Sequence, residues 1–351
     1  VVTKADNERL LTDLLKGVSR AFYLTLRVLP RGLREPVGLA YLLARAADTI
    51  ADTRLVSPDQ RLEHLLAFRA VVDGDASLKS LIEIRDSLTE KQDDSIERIL
   101  LESLPQAFGL LEKLPEFDRQ YVQSIVSKLT VGMEYDLTMF PAEDSGEIRA
   151  VKDFDELDDY TYHVAGCVGE FWTAISVAHT NVLRNWNVDH MSEMGVMFGK
   201  ALQLTNVLRD VPKDIRIGRC YLPEDGLSSV GLAPRDLLDA ANGATARPVL
   251  VEGIRTALAH YEYAERYLLA IPRRCLRLRL AVLWPVLIGL GTLEKLASNR
   301  NWLDPGSPSK VPRGWVYRML AASVICVPSD TILHVWIAGL RKRVDKALLI
   351  R

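Results

Sequence analysis

With 351 residues, of which 48% are hydrophobic and 26% charged, the chain can bury a sizeable core and is too apolar to be disordered. Its formal net charge of −2 leaves no basic footprint, which excludes nucleic acid as the main partner. Cys167, Cys220, Cys275 and Cys326 stand far apart with no C-x-x-C, so neither a zinc ribbon nor a small disulfide scaffold is expected.

Helical periodicity runs from end to end, and no convincing strand alternation interrupts it. In chain order it predicts helices over 6–16, 20–30, 35–53, 58–73, 93–112, 116–139, 152–180, 188–211, 233–241, 247–270, 274–298, 312–326 and 329–347. Turn chemistry collects between them, at Pro30-Arg31-Gly32, Pro58, Gly74-Asp75, Pro115, Pro141 to Gly146, Pro223 to Gly231, Asn242-Gly243 and Asp304 to Pro308. No composition break or long linker divides the chain, so one all-α domain over 1–351 is expected. The uncharged run Leu280 to Leu293 is too short to span a bilayer. No signal peptide is visible, and a cytoplasmic protein with reduced thiols is the expectation.

Two helices carry carboxylates where apolar residues should be. Within 37–52, Tyr41, Arg45, Asp48 and Asp52 are spaced by four, three and four residues, one stripe on an otherwise apolar or small helix. Gln203, Asn206, Asp210 and Asp214 repeat the spacing, with Arg209, Lys213, Arg216 and Arg219 around them. Two carboxylates about 6 Å apart repel by roughly 3 kcal/mol at an effective dielectric of about 20, more than an exposed pair on one helix usually returns. A cation is expected beside them. Magnesium suits sparse aspartates, because it keeps several waters and completes its shell with substrate phosphates; arginine forks add contacts to phosphate oxygens. A solvated acidic face is the competing reading of either stripe alone. Pro212 removes a donor and disfavours helix just before it, so Asp214 is the less secure of the four.

At these residues the chain resembles the squalene/phytoene synthase family of head-to-head prenyl-diphosphate synthases. The resemblance rests on Ser19-Arg20-Ala21-Phe22-Tyr23 with Tyr41 to Asp52, on Tyr160 to Gly169, and on Gln203 to Asp210 continuing through Gly218 to Pro223. It implies an all-α isoprenoid-synthase bundle around a central cavity, with two aspartate-rich helices facing each other across magnesium, or manganese, and diphosphate. Two farnesyl diphosphates would condense to a cyclopropyl diphosphate, presqualene diphosphate, and a second ionisation with NADPH reduction would give squalene. Carried over, Asp48, Asp52, Asn206, Asp210 and Asp214 hold metal. Ser19, Arg20, Phe22, Tyr41, Arg45, Gln203, Arg209 and Arg219 contact diphosphate or cavity, and Tyr160 handles a proton. Lys310 and Arg313, in the Pro-rich loop 304–314, are candidates for the NADPH phosphates, since no Gly-x-Gly-x-x-Gly follows a strand. Val282, Leu283, Trp284, Pro285, Ile288 and Gly289 resemble the far cavity wall.

The pattern Asp48-Thr49-Ile50-Ala51-Asp52 looks more like squalene than phytoene synthases. Phytoene, dehydrosqualene or hydroxysqualene formation without NADPH remains open, as does a non-catalytic helical scaffold. A di-iron carboxylate protein is disfavoured, because no histidine has a glutamate three residues before it. A monomer or weak homodimer is expected. The basic segment Arg341-Lys342-Arg343 with Lys346 and Arg351 is compatible with peripheral contact to the inner membrane face, though a solvated helix end is the simpler reading of it.

Overall fold

The computed structural model describes residues 15, 17, 22–89 and 95–349; Ser19, Arg20 and most of the expected helix 6–16 lie outside them. The described residues are almost entirely helical and fall into two compact units, 1–138 with 171–184, and 139–170 with 185–351.

The first unit contains α1 (Phe22–Val28), α2 (Arg31–Asp52), α3 (Pro58–Asp73), α4 (Leu78–Thr89), α5 (Ser95–Glu102), α6 (Leu104–Leu111) and nearly all of α7 (Glu116–Met139). Leu43, Ala46, Ala47 and Ile50 of α2 are fully buried, and Phe68 of α3 meets Phe108 of α6 edge to face at 5.9 Å. A capping box between Ser57 and Gln60 starts α3, and Gly74, at φ 86°, ends it in the left-handed conformation that disfavours other residues. The single helix expected over 93–112 divides at Ser103, whose hydroxyl bonds back to the Ile99 carbonyl at 2.6 Å, while Pro105 brings no N–H to the ladder.

The second unit holds α8 (Phe154–Thr161), α10 (Val188–Asp214), α11 (Glu224–Ser229), α12 (Gly243–Ala270), α13 (Leu276–Ser298), α14 (Arg313–Cys326) and α15 (Asp330–Leu348); α9 (Cys167–His179) begins here. The long helix expected over 152–180 is interrupted by a π-helical turn, Tyr162–Gly166, between α8 and α9. That turn and the start of α9 lie on α10 through backbone: a Cβ on Gly169 would stand 2.0 Å from the Gly195 carbonyl oxygen, and one on Gly199 2.2 Å from that of Ala165. Close helix crossing therefore explains Gly169. Residues 233–241 form 3₁₀ turns, Pro234–Leu238 and Ala240–Asn242, with Asp239 between them capping the second. Two strands of two residues each, β1 (Arg149–Ala150) and β2 (Arg219–Cys220), pair in parallel, too short for any alternation to register in sequence. By length and apolarity α13 could cross a bilayer, yet 72% of its most apolar window is buried, as in a core helix.

Candidate active site

Asp48 and Asp52 sit in the last two turns of α2, behind which Ala46, Ala47, Ile50 and Ala51 are buried. An unbroken helix puts both carboxylates on one face. Asp52 is exposed, and the Asp48 side chain is 39% exposed. Arg45 pairs with Asp48 and extends its second guanidinium nitrogen to Glu97 of α5 at 3.2 Å. Loss of water raises the Asp48 pKa to about 6, with Asp52 as the next contributor; Arg45 opposes the shift and Glu97 adds to it. Two carboxylates thus share one guanidinium, and the charge of Asp52 acts on the first of them. Tyr41, half-buried, lies one turn before Arg45, and Phe22 is the first residue of α1.

The second stripe lies on α10. Pro212 is inside the helix without ending it, and Asp214 is its last residue, so Asp210 and Asp214 keep their one-turn spacing. Arg209 forks onto Asp210, with Nε to Oδ1 at 3.0 Å and Nη2 to Oδ2, and Arg216 donates to the Pro212 carbonyl. Asn206 is exposed and Gln203 half-buried on the same face, while Lys213 points to solvent. Gly218, at φ 85°, turns the chain into β2, where the mostly buried Arg219 approaches Glu143 at 3.7 Å. Burial pushes the neighbouring Cys220 thiol up to about 12, and Asp214 is among the charges that reinforce the shift.

Tyr160 lies one residue before the end of α8, ahead of the π-helical turn, and is buried. Its hydroxyl donates to that of Tyr221 at 3.2 Å, and the two rings stack with centroids 4.9 Å apart. Phe140 meets Tyr221 edge to face at 5.0 Å, so the phenol pair is walled by aromatic carbon. Lys310 and Arg313 are exposed, Arg313 as the first residue of α14. Of the stretch expected to wall the cavity, Val282, Leu283 and Gly289 are buried and Trp284, Pro285 and Ile288 half-buried; Trp284 donates to Ser323 at 2.8 Å, and a Cβ on Gly289 would strike the Tyr261 hydroxyl.

Three partners escaped the reading of the sequence. Tyr221 and Glu143 come close to candidate residues only through the β1–β2 pairing, and Glu97 stands 52 residues from Arg45. Tyr221 alone carried a signal, as part of the Gly218 to Pro223 segment.

The family described as squalene/phytoene synthase matches residues 15–315. The chain belongs to the squalene/phytoene synthase family. Members of that family are prenyltransferases. The sequence is 30% identical to presqualene diphosphate synthase from Rhodopseudomonas palustris, over 74% of this chain and 78% of that one. It is 28% identical to squalene synthase LSS from Botryococcus braunii over 73% of this chain, and spans 51% of that enzyme's length. Phytoene synthase from Arthrospira platensis is 26% identical over 77% of this chain and 78% of its own. Among solved structures, a ligand complex of TcSQS superposes with a TM-score of 0.76 over 98% of both chains at 21% identity. A ligand-bound dehydrosqualene synthase gives 0.62 over 91% of this chain and 95% of its own at 20% identity. At these identities the structural likeness shows the fold, the all-α isoprenoid-synthase bundle.

Proposed function

We propose that the chain condenses two farnesyl diphosphates head to head into presqualene diphosphate and, with NADPH, reduces it to squalene. The observation that carries this reading is the pair of carboxylate stripes, Asp48 with Asp52 and Asp210 with Asp214, each held beside arginine on a helix with an apolar back. Relatives named as squalene synthases support the product.

The residues fit magnesium or manganese. Among the described residues no cluster of three or more His, Cys, Asp or Glu side chains could cage an ion. The first stripe is nevertheless rich in hard oxygen donors and short of positive charge, as the raised Asp48 pKa reflects. Such a donor set suits an ion that takes one or two carboxylates, with water and phosphate oxygens completing its shell. Asp48 and Asp52 would hold metal on one stripe, and Asp210, Asp214 and Asn206 on the other. When bound, the metal neutralises charge on the leaving diphosphate without a proton.

The chain's own groups supply the rest. Tyr41, Phe22, Arg45, Gln203, Arg209 and Arg219 orient the diphosphates and isoprenoid chains, with Ser19 and Arg20 as further candidates. The Tyr160 hydroxyl, already donating to Tyr221, holds a proton that can pass toward the departing diphosphate and back. Phe140 and the two stacked phenol rings keep water from the reacting carbons. Lys310 and Arg313 would take the phosphates of NADPH, which supplies hydride. Both are exposed and cationic, as a nucleotide phosphate requires.

A second reading is favoured by the 30% identity to a presqualene diphosphate synthase: the chain stops at the cyclopropyl diphosphate and needs no NADPH. Incubation with farnesyl diphosphate and Mg²⁺, with and without NADPH, separates the two. Squalene formed only with NADPH supports the first. Presqualene diphosphate accumulating in both reactions supports the second. Phytoene from geranylgeranyl diphosphate, with farnesyl diphosphate left unused, overturns both.

A further inference from the structure

The last two helices expose more hydrocarbon than a solvated surface explains. On α14, Tyr317, Val324 and Ile325 line the outer face, Ile325 being 81% exposed, and Ala321 lies between them. On α15, Ile332 and Val335 are exposed one turn apart, and Lys342 and Lys346 continue the same stripe. The turn 327–329 joins the two helices, so Val324 and Ile325 at the end of one stand close in sequence to Ile332 and Val335 at the start of the other. Trp284 of α13, bonded to Ser323, fixes the end of α14, and Asp330 fixes the start of α15 by accepting from Arg273 at 2.7 Å and Arg279 at 2.5 Å.

Those contacts bring a third segment to the same end. Residues 273–277 read Arg-Arg-Cys-Leu-Arg, and Arg273, Arg274, Leu276 and Arg277 are all exposed. Across 273–277, 313–329 and 331–344 there is no acidic residue; Asp330, between the last two, is committed to its arginines, and Asp345 follows only at the Lys342–Lys346 end. An apolar tip with Arg273, Arg274 and Arg277 beside it, and with Arg318 and Lys342 further along the two helices, thus stands on a chain whose formal net charge is −2.

From this we infer that the α14–α15 tip docks on an anionic lipid bilayer, with Val324, Ile325, Ile332 and Val335 entering the headgroup boundary and Arg274, Arg277, Arg318 and Lys342 meeting lipid phosphates. Apolar side chains beside snorkelling cations are the composition of a helix lying in an interface. A second copy of the chain is the poorer occupant, because the same face on both partners would set arginine against arginine. The inference is independent of the reaction assigned above, since docking is read without substrate.

The test is co-sedimentation of the full chain with vesicles of phosphatidylcholine alone and of phosphatidylcholine mixed with phosphatidylglycerol in equal parts. Binding to the anionic vesicles only, weakened by salt, is expected. The double variant Ile325→Asp/Val335→Asp should stay in the supernatant, and Arg274→Gln should bind about fivefold more weakly, the equivalent of ~1 kcal/mol per surface cation. Both variants should keep the thermal midpoint of the parent and its turnover of detergent-dispersed substrate. The proposal is overturned if the parent fails to pellet with anionic vesicles, or if the double variant pellets as the parent does. It is also overturned if Ile325→Asp/Val335→Asp dissolves a concentration-dependent dimer while vesicle binding is unchanged.

Discussion

The two acidic stripes solve the same electrostatic problem in different ways. On α2, Arg45 is shared between Asp48 and Glu97 while Asp52 crowds the same face, and the Asp48 pKa climbs to about 6. On α10, Asp210 has its own fork from the adjacent Arg209, and Arg219 is set against Glu143. The first stripe shares one arginine between two carboxylates, whereas on the second Asp210 has an arginine of its own. A divalent cation should therefore depend on Asp48 and Asp52 more than on Asp210 and Asp214, whose surroundings are better suited to gripping diphosphate through arginine.

Breaking the first stripe should have the largest effect. Asp48→Asn is expected to lower turnover about a thousandfold, the scale on which loss of one preorganised electrostatic contact is felt, in a steady-state assay with saturating Mg²⁺. Asp214→Asn should reduce it by only about tenfold, because Asp210 and Arg209 remain. Equal losses would erase the difference between the stripes. Next in size is the phenol pair. Tyr160→Phe should cut kcat about a hundredfold with KM little changed, as for a lost proton carrier. Tyr221→Phe should cut it less, since it acts through Tyr160.

The smallest effect sharpens the comparison from the side of stability. The folded pKa of Asp48 lies above its ordinary value of 3.8, so the native state keeps a proton that the unfolded chain gives up. That contribution is complete below pH 3.8 and is lost as pH rises through about 6. Discounted for the 39% exposure of the side chain, it is on the order of 1 kcal/mol. In urea titrations without metal, the parent should lose this much between pH 3.5 and pH 7.5 relative to Asp48→Asn, which should be the more stable protein at the higher pH.

Much of this is legible in the sequence. The i, i+4 spacing of Asp48 and Asp52 on an apolar helix needs only helical geometry, and α2 delivers it. Asp214 is the less secure position in sequence because Pro212 removes the donor to the carbonyl four residues earlier; α10 nevertheless runs on to Asp214, and Arg216 bonds the Pro212 carbonyl at its end. Local chemistry of this kind is visible in sequence once each end of the helix is considered. The pairing of Arg45 with Glu97 and of Tyr160 with Tyr221 was not, because each joins residues more than 50 positions apart through tertiary contact. Nor was the π-helical turn at Tyr162–Gly166, which apolar periodicity reads as continuous helix.

Manganese binding followed by electron paramagnetic resonance, with inorganic diphosphate present, tests the central claim most directly. The account predicts that the parent takes up Mn²⁺, that Asp48→Asn abolishes uptake, and that Asp214→Asn weakens it by about tenfold or less. Uptake by Asp48→Asn equal to that of the parent would contradict it.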